Sequence, residues 1–163
     1  MKPWDGITYK SPGGTLRLDI HTDELPYEFP DRYVGDVEFV NVYLKSLKGC
    51  PQEIIGSFTC AINELTTLQY GPTKVSGSYT CARNKLTSLE FAPKDVGGSF
   101  FCAGNDIKNL KEEVIKHRIK AKFYDTDEGH FRFDDIKKEF ESYVPLDKRV
   151  TRSSMRTLLG LDK

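Results

Sequence analysis

The chain has 163 residues with 24 basic and 24 acidic side chains, a formal net charge of zero. That is long enough for one domain with its own core, and it lacks the charge excess of a DNA coat or a polybasic membrane anchor. No apolar run approaches the roughly 20 residues a membrane span needs, and four cysteines are too few for a disulfide scaffold at this length.

The opening MKPWDGITYK carries no apolar signal core, so a cytoplasmic, reducing setting is expected. The first predicted element is a β-hairpin, because two alternating stretches, ITYK and TLRLDI, flank the turn sequence SPGG. It would form an N-terminal cap over residues 1–34, with Trp4 packed on apolar surface. From Asp19 to Glu38 seven acids (Asp19, Asp23, Glu24, Glu28, Asp31, Asp36, Glu38) face one base, Arg32. This acidic start is either ordinary solvated surface or a steering field for a charged partner.

GSFTCAINELTTL at Gly56 returns 21 residues later as GSYTCARNKLTSL and again as GSFFCAGNDIKNL. In register, Phe58, Tyr79 and Phe100 align, as do Cys60, Cys81 and Cys102. Asn63, Asn84 and Asn105 form another column, followed by Leu65, Leu86 and Ile107 and then by Leu68, Leu89 and Leu110. Pro51, Pro72 and Pro93 match, and so do Gly56, Gly77 and Gly98. A weaker copy at Gly35, Val37, Phe39, Leu44 and Leu47 precedes them. Aromatic and Cys are two apart, which is strand spacing and points both inward. One unit cannot bury this set alone, whereas stacked units share a continuous core.

The pattern F-x-C-x-x-N-x-L-x-x-L resembles the leucine-rich repeat in its short bacterial form, over 35–110. It is also similar to repeats of small phage and bacterial proteins. The resemblance implies a mainly β solenoid with hairpin and hairpin-plus-helix caps, used as a binding scaffold. One departure is visible. The family's first leucine would fall at Ile55, Ser76 and Gly97, yet apolar residues stand one position earlier, at Ile54, Val75 and Val96. That puts the geometry of the convex side in question.

Beyond Leu110, KEEVIKHRIK reads as one short helical turn. IKAKFY and HFRF flank DTDEG as a second hairpin. DDIKKEFESY then reads as a helix with Asp134 or Asp135 as N-cap and Ile136, Phe140 and Tyr143 on one stripe. Together these make a C-terminal cap over 111–144, ended by Pro145. The tail, 145–163, is basic and carries Met155, Leu158 and Leu159 near Arg149, Arg152 and Arg156. It docks on its own body, serves as a partner motif, or touches nucleic-acid phosphate.

The Cys column invites a metal or redox reading. Parallel in-register strands lie about 4.8 Å apart with side chains that do not converge, and zinc wants a tetrahedron rather than a row. Cys60, Cys81 and Cys102 are therefore expected as core. Asn63, Asn84 and Asn105 are expected to satisfy backbone groups where each strand turns away. The acidic DTDEG turn lacks the Glu that a calcium loop needs at its twelfth position, where Ile136 stands. No nucleotide loop or nucleophile elbow is present. Some bacterial effectors join such repeats to a ubiquitin-ligase domain with a catalytic Cys, but no Cys follows Cys102. The expectation is a non-enzyme with no cofactor and no metal.

Outward strand positions carry the partner-binding expectation: Glu38, Thr59, Thr80 and Phe101, extended by Arg83, Lys122 and Tyr124 and by Arg152 and Arg156 of the tail. Phe101 is either an interface anchor or packs beneath the C-terminal hairpin. The strand face offers only roughly 300 Å², against about 800 Å² per partner in a standard interface, so adjoining loops must contribute. The expected function is non-catalytic protein binding, with inhibition of a host or defence protein by a phage protein as its sharper form. Nucleic-acid association through the tail and self-assembly are the alternatives.

Overall fold

The computed structural model describes residues 7–9, 14–26 and 28–143, and side chains of 14–26 and 28–139 within them. Among these residues the chain forms eleven strands and two helices. In chain order the strands are β1 (Ile7–Tyr9), β2 (Leu16–Leu18), β3 (Arg32–Val34), β4 (Val37–Glu38), β5 (Glu53–Ile55), β6 (Phe58–Thr59), β7 (Lys74–Val75), β8 (Tyr79–Thr80) and β9 (Asp95–Phe101). Then follow α1 (Leu110–Lys116), β10 (Lys120–Thr126), β11 (Gly129–Arg132) and α2 (Phe133–Tyr143).

The architecture is a parallel β-solenoid of about five turns, each about 21 residues long. Two ladders run along it. One passes through β2, β4, β6, β8 and the second half of β9; the other passes through β3, β5, β7 and the first half of β9. The apolar residues standing one position early are the inward residues of this second ladder. Tyr33, Ile54, Val75 and Val96 are all buried there, so the convex side, whose geometry the sequence left in question, carries a second ladder of short strands joined to the first through β9. Strands of two or three residues suffice because backbone N–H groups bond to the neighbouring coil, forward in the first ladder, as from Val37 to Ser57 and from Phe58 to Ser78 at 2.9 Å, and backward in the second, as from Gln52 to Asp31 at 2.8 Å.

The corner between the two ladders is made by glycine. Gly56 has φ 156°, and a Cβ there would lie 2.3 Å from the Gly35 carbonyl oxygen. Only a residue without a side chain lets successive coils touch at this bend.

Inside, the aromatic column is continuous. Ring centroids of Phe58 and Tyr79 are 5.5 Å apart, of Tyr79 and Phe100 4.9 Å, and of Phe100 and Phe123 4.7 Å. Phe123 then stacks on Phe131 at 4.9 Å, which carries the column into the C-terminal hairpin. One atom in it is out of place: the Tyr79 hydroxyl is buried without a hydrogen-bond partner.

The Asn column is a hydrogen-bonded ladder. Asn63 accepts from Val42 N and Leu44 N at 3.0 and 3.1 Å and donates to Phe39 O and Cys60 O at 2.6 and 3.0 Å. Asn84 repeats this by accepting from Leu65 N and donating to Cys60 O and Cys81 O. Asn105 accepts from Asn84 N and Leu86 N and donates to Cys81 O and Cys102 O. Each amide thus ties its own coil to the one before it.

The solenoid extends beyond 35–110 at both ends. β2 joins β4 in parallel and places Leu16 beside Val37, while β1 pairs antiparallel with β2 as the expected hairpin. Trp4 lies outside the described residues. At the other end β10 lies parallel to β9 and antiparallel to β11. Within KEEVIKHRIK the helix α1 runs from Leu110 to Lys116, seven residues rather than a single turn, and Lys120 already belongs to β10. α2 starts at Phe133, so Asp134 and Asp135 sit in its first turn instead of capping it. The reason is packing: Phe133 is buried beside Ile136 on the same helical stripe, and the helix begins early enough to use it.

Two substitutions test this account. Asn63→Asp keeps the shape but removes both N–H donors, so chemical denaturation should show a loss of about 2–4 kcal/mol; a loss under 0.5 kcal/mol would remove the ladder from the list of stabilising features. Tyr79→Phe deletes a hydroxyl that has no partner and matches the Phe at the neighbouring coils. It should leave stability equal or raise it by about 1 kcal/mol, and a clear loss would mean that the hydroxyl is satisfied.

Candidate functional site

The outward face of the first ladder is built by strict register. Arg17, Glu38, Thr59, Thr80, Phe101 and Tyr124 are successive parallel neighbours and form one row across the molecule. Of the residues expected to bind a partner, Glu38, Thr59, Thr80, Phe101 and Tyr124 are brought together in it. Lys122 lies one row over, beside Ser99. Arg83 is exposed at the turn that ends its strand, with φ 55°. Arg152 and Arg156 lie outside the described residues.

The row changes character along its length. At its start Arg17 pairs with Glu38, with Nη2 to Oε2 at 2.8 Å and Nε donating at 3.0 Å. An exposed pair of this kind is worth about 0–1 kcal/mol, and it offsets part of the acidity of that end. In the middle Thr59 and Thr80 are half-buried and present small hydroxyl groups. At the far end Phe101 is half-buried, with its ring 6.3 Å from that of Tyr124, which is itself 37% exposed and 5.3 Å from the His130 ring. The C-terminal hairpin covers one side of Phe101 through Tyr124, and its remaining surface is exposed.

The neighbouring row of Asp36, Ser57, Ser78 and Ser99 looks polar and available in the sequence, yet most of it is engaged. Asp36 Oδ1 accepts from Ser57 N at 2.8 Å, Ser57 Oγ from Ser78 N at 3.0 Å, and Ser78 Oγ from Ser99 N at 3.1 Å. These side chains replace backbone acceptors where the chain turns the glycine corner. On the other flank Ala61, Ala82 and Ala103 keep the surface low.

Apolar surface rims the turns. Val40 is 38% exposed, Tyr43 50% and Ile62 42%. Tyr43 was not among the expected contacts; its ring stands edge-on to His21 at 4.6 Å. Farther around each coil, Tyr70 and Phe91 are exposed and left-handed, with φ 71° and 69°, where the equivalent Gly49 has φ 94°. Their signal was present in the sequence as two aromatics 21 residues apart in a position that glycine fills in the preceding coil.

Cys50, Cys60, Cys81 and Cys102 are free and buried. Burial pushes the Cys60 thiol up to about 12, and burial with the nearby Asp127 and Glu128 charges pushes Cys102 up to about 12. The thiolate, which does the chemistry, is thus suppressed. Among the described residues no group of three or more His, Cys, Asp or Glu side chains is placed to hold a metal ion. The DTDEG segment forms the β10–β11 turn, in which Glu128 N donates to Thr126 Oγ1 at 3.1 Å. No helix among the described residues is long and apolar enough to cross a membrane.

Comparison of the chain with family models, with curated proteins and with solved structures finds no match.

The thiol environment gives a direct check. With a colorimetric disulfide reagent at pH 8, the native protein should release less than one equivalent over minutes, and all four cysteines should react after denaturation. Rapid reaction of two or more thiols in the native state would contradict the buried column.

Proposed function

We propose that the chain is a leucine-rich-repeat-like recognition module that binds a protein without catalysing a reaction. The observation that carries this reading is the row from Thr59 through Thr80 and Phe101 to Tyr124. Small groups in the middle let a partner backbone approach, and aromatic surface at one end supplies the anchor that interface hot spots favour. The apolar rim at Val40, Tyr43 and Ile62 supports it further, because it enlarges a strand face too small to hold a standard interface alone. The same reading extends to a partner class. A short scaffold of this kind suits a phage or bacterial protein that occupies and inhibits a host or defence protein in the cytoplasm. The nucleic-acid reading rests on the tail, 145–163, which lies outside the described residues, and on the C-terminal cap.

The test pairs capture with reconstitution. The wild type and a Thr59→Arg, Thr80→Arg double variant are used as bait in nuclease-treated lysate. Any protein retained is then purified and titrated against both baits. Two arginines on the flat centre of the row should weaken binding at least tenfold while the melting temperature stays within a few degrees. Equal affinity for the two baits would place the interface elsewhere, and nuclease-sensitive capture alone would favour nucleic acid.

A further inference from the structure

At the C-terminal end the solenoid's register breaks, and the break leaves a cavity. Lys120 sits beside Asp95 and Lys122 beside Ser99, so β10 advances two residues while β9 advances four. Val96, Gly97 and Gly98 have only Ala121 opposite them. In the earlier coils the next glycine corner fills this place: a Cβ on Gly98 would lie 2.6 Å from Ser78 Oγ. No further corner follows β9, and a cavity of about 250 Å³ remains between β9, β10 and the start of α2.

The lining is strongly cationic. Lys120, Lys122 and Arg132 border it together with one carboxylate, Asp134. Lys122 and Arg132 are direct cross-strand neighbours in the antiparallel pair of β10 and β11, an arrangement of like charges that destabilises a sheet. Among the described residues none of the three cations is in an ion pair. The cavity floor at Gly97 and Gly98 has no side chains and so leaves room for a ligand. The positive end of the eleven-residue α2 also borders it, although Asp134 and Asp135 in its first turn already offset that end.

We propose that this cavity binds a phosphate group, carried by a small molecule or free. Charge selects the ligand. Three cations less Asp134 leave +2 in the lining, with Asp95, the cross-strand neighbour of Lys120, just outside it; a phosphate at about −1.5 to −2 near pH 7 matches that lining more closely than a monocarboxylate. Size restricts it further. The volume of about 250 Å³ holds roughly eight waters at about 30 Å³ each, enough for a phosphate with a small substituent. The site adjoins the protein-binding row: Lys122, one of the expected partner contacts, lines it, whereas Lys120, Gly97 and Arg132 lie off that row.

The experiment is a titration of the full chain with inorganic phosphate and, in parallel, glycerol phosphate, followed by ¹H–¹⁵N NMR at constant ionic strength set with sodium chloride. Saturable shifts are expected at residues 97–98, 120–122 and 132–134, with millimolar or tighter affinity. The Lys122→Gln, Arg132→Gln variant should bind at least tenfold more weakly. In low-salt, phosphate-free buffer the same variant should melt at or above the wild type, because it relieves the cross-strand repulsion, and phosphate should raise the melting temperature of the wild type only. A tenfold preference for glycerol phosphate identifies a phosphorylated small molecule as the ligand, and equal affinity assigns the site to free phosphate. Shifts scattered over the surface, shifts reproduced by chloride, or undiminished binding by the variant would overturn the proposal.

Discussion

The backbone hydrogen bond from one coil to the next, at an offset of 20 to 22 residues, is the constraint from which the rest follows. Cys60 N donates to Thr80 O and Cys81 N to Phe101 O, each at 2.9 Å, and such bonds fix the stacking register residue by residue. Once the register is fixed, each sequence position becomes a column along the molecule, and a column tolerates only side chains that can sit beside copies of themselves. Aromatic rings stack, cysteines fill small volumes between them, and each Asn amide accepts with its oxygen and donates with its nitrogen. A glycine corner is required because adjacent coils touch there through backbone. Stability in such an array is a sum of units and of nearest-neighbour contacts, so the Asn amides, which bond both within a coil and to the previous one, act on both contributions.

That same logic decides what was legible in the sequence. Columns that repeat an identical residue, such as Cys60, Cys81 and Cys102, could be read directly, and their burial agrees with the expectation of packing. Columns that conserve only polarity were harder to see. Leu16 and Leu18 occupy the same places as Val37 and Phe39, but without the Cys and Asn they read as half of a hairpin. The second ladder was obscured by the resemblance itself. The family pattern placed an apolar residue at Ile55, Ser76 and Gly97, whereas the inward residues are Ile54, Val75 and Val96. Its outward side follows another rule that single-unit reading misses: Arg32, Glu53, Lys74, Asp95 and Lys120 stand side by side and alternate in sign.

The candidate site was legible only in part, for a physical reason. Alternation along a strand identifies which side chains point outward, and Thr59, Thr80, Phe101 and Tyr124 are register neighbours in one row. Alternation does not reveal which outward groups are already engaged. Asp36, Ser57 and Ser78 point out, yet their oxygens accept from the backbone of the next coil. Glu38 points out, yet Arg17 holds it. The left-handed turn residues raise the converse difficulty. Tyr70 and Phe91 lie in a backbone region that bulky residues rarely adopt, so their exposure depends on a conformation that the sequence reading did not assign.

A repeating solenoid presents repeating chemistry, and recognition of one particular ligand or partner requires the repetition to be broken. In this chain the breaks concentrate at the C-terminal end. The row that carries Thr at two successive coils turns to Phe101 and Tyr124 there, and the C-terminal hairpin brings His130 beside them. One row away, the shortened step of β10 opens the cationic cavity. Both features arise from one event, the replacement of a further coil by α1 and an antiparallel hairpin. That replacement also caps the aromatic column with Phe131, so the element that closes the core is the same one that gives this end of the molecule its distinct surface.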